Sequence, residues 1–241
     1  MRALLLPLLL GSTLAQAQGP KEWYWTSGGE WIFSMATLDV NGNDNGNILR
    51  FSPFFNVQGM ANYDFNDHVG LFAGLSIRNV GFIYELPEVG EGVQYDKYKF
   101  RTYNAGIPVG LKFGEMHRAM VFLGYEFELP FNYKEKRYLN EVKEDKFNVW
   151  FSDRTEPFFH ALFLGFQFKY GTTLKFKYYL TNFHNTDYTE TVDGVQVKPY
   201  DGLNANILYV SLGFGLFRND ELIYKDQQRP APPAEPRAWR L

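Results

Sequence analysis

The feature that most constrains this chain is a period-two alternation of apolar and polar residues, recurring in segments long enough to be strands. Leu49, Phe51, Pro53, Phe55, Val57, Gly59, Ala61 and Tyr63 fall on one face, and Arg50, Ser52, Phe54, Asn56, Gln58, Met60 and Asn62 on the other. The same alternation runs through 69–78, 102–113, 119–129, 162–170, 174–181 and 208–217, and Glu30 to Leu38 supplies an opening strand, so the count is eight. No stretch of 18 apolar residues occurs after the N-terminus, which excludes transmembrane helices. The expectation is an all-β protein: an eight-stranded antiparallel up-and-down barrel.

Alternation does not say which face points inward. A soluble lipocalin-like barrel keeps its apolar face around a cavity, whereas a membrane barrel turns it outward to lipid. Three features favour the membrane. The polar face is rich in Gly, Ser, Asn and Gln with a few charges of both signs, which suits a narrow hydrogen-bonded interior. The connections alternate: tight turns at 65–68, 114–118 and 171–173 face long polar loops at 39–48, 85–97, 132–157 and 183–204, as periplasmic turns face extracellular loops. Aromatics gather at the strand ends: Tyr63, Phe65, Phe113, Tyr170 and Phe217 on the turn side, and Tyr84, Tyr98, Tyr103, Phe131 and Tyr133 on the loop side. They belong to a chain that is 18% aromatic.

The termini agree with export. Met1-Arg2, the apolar run Ala3 to Leu10 and Ala15-Gln16-Ala17 are the three parts of a signal peptide, in order. Residues 1–17 are therefore expected to be removed, 18–27 to form a periplasmic N-terminal segment, 28–217 the outer-membrane barrel and 218–241 a Pro-rich periplasmic tail. There is no cysteine, so no lipoprotein anchor, disulfide or thiolate site is available. A formal charge of −3 without a basic run argues against nucleic acid.

Two segments resemble the small outer-membrane barrels of the Bacteroidota, the PorT-like or outer-membrane β-barrel domain family. They are Gly70-Leu-Phe-Ala-Gly-Leu-Ser-Ile-Arg-Asn-Val-Gly-Phe82 and Tyr103-Asn-Ala-Gly-Ile-Pro-Val-Gly-Leu-Lys-Phe113. Similarity of type covers roughly 28–217. The resemblance implies a barrel in the cell envelope, and for some members of the family a role beside type IX secretion. Pro108, mid-strand and inward beside Gly106 and Gly110, implies a local bulge or bend, and Pro53 can do the same.

Eight strands leave an interior just wide enough to be filled by side chains. Arg50, Arg78, Lys112, Glu126, Glu128 and Lys169 are the expected polar network, with Lys175 and Lys177 and the rings of Phe54, Phe72 and Phe122. Arg78 and Lys112 are plausible partners of Glu126 and Glu128, since buried charges must pair. The reading is a plugged barrel with a structural or interaction role. A narrow channel is one alternative; a barrel enzyme using His160 or His184 is another, although no nucleophile stands at a spacing that marks a site. The Asn/Gly-rich loop from Asp39 fails the calcium-loop pattern, and no metal or cofactor is expected. In the third loop, Tyr138, Trp150 and Phe151 are the candidate contacts for a partner or ligand, unless they fold back over the barrel mouth. Expected partners are outer-membrane lipid and envelope or secretion proteins met through the loops or the tail.

Overall fold

The structure, a computed structural model, describes residues 22–40, 47–85, 95–116, 118–192 and 194–217. The segment expected to be a signal peptide, most of the first loop and the Pro-rich segment from 218 lie outside the described residues. The strands are β1 (Glu22–Val40), β2 (Asn47–Ile48), β3 (Arg50–Ser52), β4 (Val57–Asp64), β5 (Val69–Glu85), β6 (Lys97–Glu115), β7 (Ala119–Leu139), β8 (Val142–Trp150), β9 (Phe159–Gln167), β10 (Thr172–Tyr179), β11 (Glu190–Val192), β12 (Val195–Val197) and β13 (Leu203–Phe214). Eight of them form a ring in the order β1-β4-β5-β6-β7-β9-β10-β13. It closes by antiparallel pairing of β13 with β1, from Gly29↔Phe214 to Val40↔Leu203. Closure leaves the ring no open edge.

The outer face is apolar, and charged side chains are buried inside the ring. Leu75 is 66% exposed, Leu162 51% and Ile107 50%, while Lys112, Glu126 and Glu128 are fully buried. Apolar residues therefore point outward around the whole ring, while the inside holds the buried charges at mid-height between two clusters of buried apolar and aromatic side chains. Tight turns hold one end. Phe65 N donates to Val69 O at 2.9 Å, and the Asn66 side-chain oxygen accepts from the amides of His68 and Val69, an Asx turn. At the β9–β10 turn Gly171 takes a positive φ of 78°, which glycine adopts at no steric cost.

Several expected boundaries move. β1 starts at Glu22, and Glu22 to Gly29 pair with β4, so part of the segment expected at 18–27 belongs to the ring. The alternation of Trp23 and Trp25 outward with Tyr24 and Thr26 inward carries it. The second strand breaks at Pro53, where Phe55 adopts a φ of 63°. Asn56 repairs the gap: its side chain donates to Ser52 O and accepts from the Asn79 amide, both at 2.8 Å. Pro108 makes no bulge. It stays in register opposite Glu126, and the β5–β6 ladder merely lapses between Ala73↔Val109 and Ser76↔Gly106, where the proline lacks an N–H. The register shift lies instead between Tyr103 and Asn104, where β7 inserts Phe131 between Pro130 and Asn132. One extra residue exchanges the two faces of a strand. Beyond it Tyr133 and Glu135 point into the mouth, and Lys134 and Lys136 point out. The third loop is accordingly a hairpin, in which β8 extends the wall of the barrel by pairing with the upper part of β7.

Candidate functional site

Alternation on seven strands delivers polar side chains to the middle of the ring. Arg78 Nε donates to Glu126 Oε1 at 2.9 Å, its Nη2 to Gln58 Oε1 at 2.7 Å, and its Nη1 pairs with Glu30. Lys175 Nζ lies 2.8 Å from Glu30 Oε2, which also accepts from the Ser211 hydroxyl at 2.6 Å. Lys177 Nζ donates to Glu126 Oε2 at 2.6 Å and to Glu128. Asn104 and Tyr179 complete the shell of Glu128, at 2.6 and 2.9 Å. Three carboxylates therefore face three cations, all buried, and the formal charges cancel. Such balance matters because an uncompensated buried ion costs several kcal/mol.

Toward the turn end, Lys112 Nζ lies 2.7 Å from Asp64 and donates to the Tyr24 hydroxyl at 2.7 Å and the Asn62 side chain at 3.1 Å. Phe72, Phe122, Phe163 and Phe217 pack against one another beside it, with ring centroids 4.9–6.4 Å apart. Gly165 makes room for Phe122: a Cβ there would come within 2.2 Å of the ring. Between these rings and Arg78 lies a void of about 10 Å³, room for about one water.

The loop end is closed by the segment between β10 and β13. His184 forms a β-bridge with Thr155, and Phe183 N and Asn185 N donate to Ala205 O and Arg154 O. The His184 ring stacks on Tyr200 at 4.3 Å and meets Phe100 at 4.5 Å and Phe183 at 4.8 Å. Below it, the hydroxyls of Tyr133 and Tyr200 donate to Glu135 Oε2 at 2.8 and 2.9 Å. Arg154 donates to the Tyr200 hydroxyl at 3.0 Å and pairs with Glu190. Burial, then Glu135, pushes the Tyr200 phenol up. Burial, then the Arg154 guanidinium, holds His184 down to about 3. A histidine with a lowered folded value is neutral in the cap, and its unfolded form takes the proton first. The cap is therefore expected to lose stability as pH falls from about 6.5 toward 3. Limited proteolysis at residues 185–199 should quicken over that range in the native protein, and not in His184→Phe.

The structure brings together Arg78, Glu126 and Glu128 and leaves other expected members of the network elsewhere. Lys112 is interior, but its acid is Asp64 rather than Glu126 or Glu128. Arg50 donates to the Asn79 side chain and to Asn79 O, in the gap left by the break at Pro53. Lys169 is exposed in the short 3-10 turn after β9 (Lys169–Gly171), because strand alternation ends at Gln167. Phe54 also points out, 70% exposed. Glu30 was missed as the third acid, although it shares its face with Ile32 and Ser34. Trp150 and Phe151 do not fold over the mouth. Trp150 is 62% and Phe151 68% exposed, and Trp150 stacks on Phe131 at 5.8 Å. Tyr138 lies under the Lys99 ammonium at 4.7 Å. His160 faces outward, with Nδ1 2.6 Å from the Tyr125 hydroxyl.

No family model matches the chain, and no curated protein matches it. Solved structures that align with it include Ail, the attachment invasion locus protein of Yersinia pestis, in complex with the heparin analogue sucrose octasulfate. That match has 11% identity and a TM-score of 0.35, over 79% of this chain and 97% of that one. Neisserial surface protein A aligns at 10% identity and a TM-score of 0.38, over 81% and 99%. OprG from Pseudomonas aeruginosa aligns at 9% and 0.34, over 80% and 93%. Likeness at this level bears on no individual residue.

Proposed function

We propose that the chain is an integral barrel of an outer membrane whose interior is sealed. Its task is then structural or interactive, carried by the surfaces it presents to lipid and to the outside. The observation that carries this reading is the inversion of the two faces. A continuous outward apolar wall of this size has no place in water, and the buried, charge-neutral cluster with its ring of phenylalanines fills the only route through an eight-stranded ring. The signal-peptide pattern at 1–17 supports export. A place beside a type IX-like secretion machine is supported by the resemblance of residues 70–82 and 103–113, and cross-linking in the native envelope tests it through co-recovery of secretion components. The histidines give an enzyme little to work with: His160 meets a tyrosine on the lipid face, and His184 is packed among rings.

The direct test is electrical. In planar bilayers the purified, heat-modifiable protein should give no conductance steps, and discrete steps from the native chain would establish the channel instead. If the folded chain stayed in solution without detergent, or if boiling left its gel mobility unchanged, the membrane reading itself would fail.

A further inference from the structure

Above the aromatic row formed by Tyr103, Phe131 and Trp150, the outer face of the barrel wall changes character. Arg101 lies directly opposite Lys134, and one step higher Lys99 lies opposite Lys136, which in turn lies opposite Lys146. Like charges directly opposite one another destabilise a sheet. Here five of them occupy two adjacent rows. The nearby acids are engaged or lie beyond the rows: Glu135 points inward to Arg137 and the tyrosines, Asp145 lies near Arg137, Glu85 and Glu141 serve Lys97 at the tip, and Glu144 is exposed on β8 farther toward the tip than Lys146. Among the described residues no ion pair links any of the five to a carboxylate. Arg101 Nε is buried without a hydrogen-bond partner.

The face does not arise from strand alternation alone. Without the extra residue at Phe131, Lys134 and Lys136 would point into the mouth. The bulge turns them outward, beside Lys99 and Arg101, just where the apolar wall ends. A strand rises about 3.3 Å per residue, so Arg101 stands roughly 7 Å beyond Tyr103 along β6. That is the depth of a lipid headgroup resting on a chain whose tail lies against the wall.

We propose that Lys99, Arg101, Lys134, Lys136 and Lys146 form a site for the phosphate groups of an anionic lipid in the leaflet on the loop side. The proposal rests on the membrane reading above. Charge complementarity selects the occupant, and continuity with the apolar wall selects a lipid over a free anion. Tyr103 and Trp150 flank the acyl chains, and the five cations close over the phosphates, each adding to an attraction that salt weakens.

The test uses the full chain in phosphatidylcholine vesicles, with and without bisphosphorylated lipid A, and a variant carrying Lys99→Gln, Arg101→Gln, Lys134→Gln, Lys136→Gln and Lys146→Gln. Boiling-dependent gel mobility first reports insertion. If neither protein inserts, the membrane reading fails and this site falls with it. If both insert, lipid A should raise the unfolding temperature of the native chain by several degrees and leave the variant unmoved. In phosphatidylcholine alone the variant should be at least as stable as the native chain, because it has lost five repelling charges. An equal rise in both proteins, or an equal rise with dephosphorylated lipid A, overturns the proposal. So does a rise of the same size produced by soluble heparin in phosphatidylcholine vesicles, which would make the occupant a free polyanion.

Discussion

Arg78→Met is expected to destabilise the folded barrel by about 3–5 kcal/mol, read as a lower urea midpoint at unchanged m-value. The arginine is 1% exposed and is shared by Glu30 and Glu126, with Gln58 holding its far nitrogen. Methionine fills much of the same volume, so the loss measures charge rather than packing. Three carboxylates then face only Lys175 and Lys177, and the cluster carries one uncompensated negative charge. Adding Glu126→Gln restores the balance and should recover a large part of the loss. If Arg78→Met cost less than about 1 kcal/mol, the cluster would be open to water and the sealed interior would be wrong.

The second large effect concerns the rings. Phe72 and Phe122 are buried, with centroids 6.4 Å apart, and each also packs on Phe217. Each change to alanine should cost about 3–5 kcal/mol, and the pair should not add, because the two rings share one space. Removing both joins their volume to the small void beside Arg78 and opens the turn end of the interior. The double variant should remain a heat-modifiable barrel, since the backbone ring is untouched, and should pass ions in planar bilayers where the native chain does not. Continued silence would mean that the charged cluster seals the barrel by itself, and Arg78→Met in the same background would then be the opening change.

The strands inside the apolar belt were legible because their signal is local. Leu71, Ala73, Leu75 and Ile77 announce β5, and Val121, Leu123, Tyr125 and Phe127 announce β7, whatever lies beside them. Past the belt both faces are mixed, so the continuation of β7 to Leu139 and the whole of β8 looked like loop. The bulge at Phe131 then reversed the alternation, and no counting by twos through Lys134 and Lys136 could find which way they point. The burial of His184 carried no signal: a histidine between Phe183 and Asn185 in a polar loop reads as surface until the loop is seen to close over Phe100 and Tyr133.

Within the unbroken strands of the apolar belt the sequence by itself determined which residues share a face, because side-chain direction in a regular strand depends only on the backbone of that strand. It also determined where the tight turns fall, through Asn66 and Gly171. The tertiary structure decided which charges meet. Glu30 reaches Lys175 only after β13 has closed on β1, and Lys112 finds Asp64 rather than Glu126 because register, not charge, sets the height of each side chain in the ring. Alternation is a property of one strand, whereas pairing depends on the stagger between several, and that stagger is fixed only when the barrel closes.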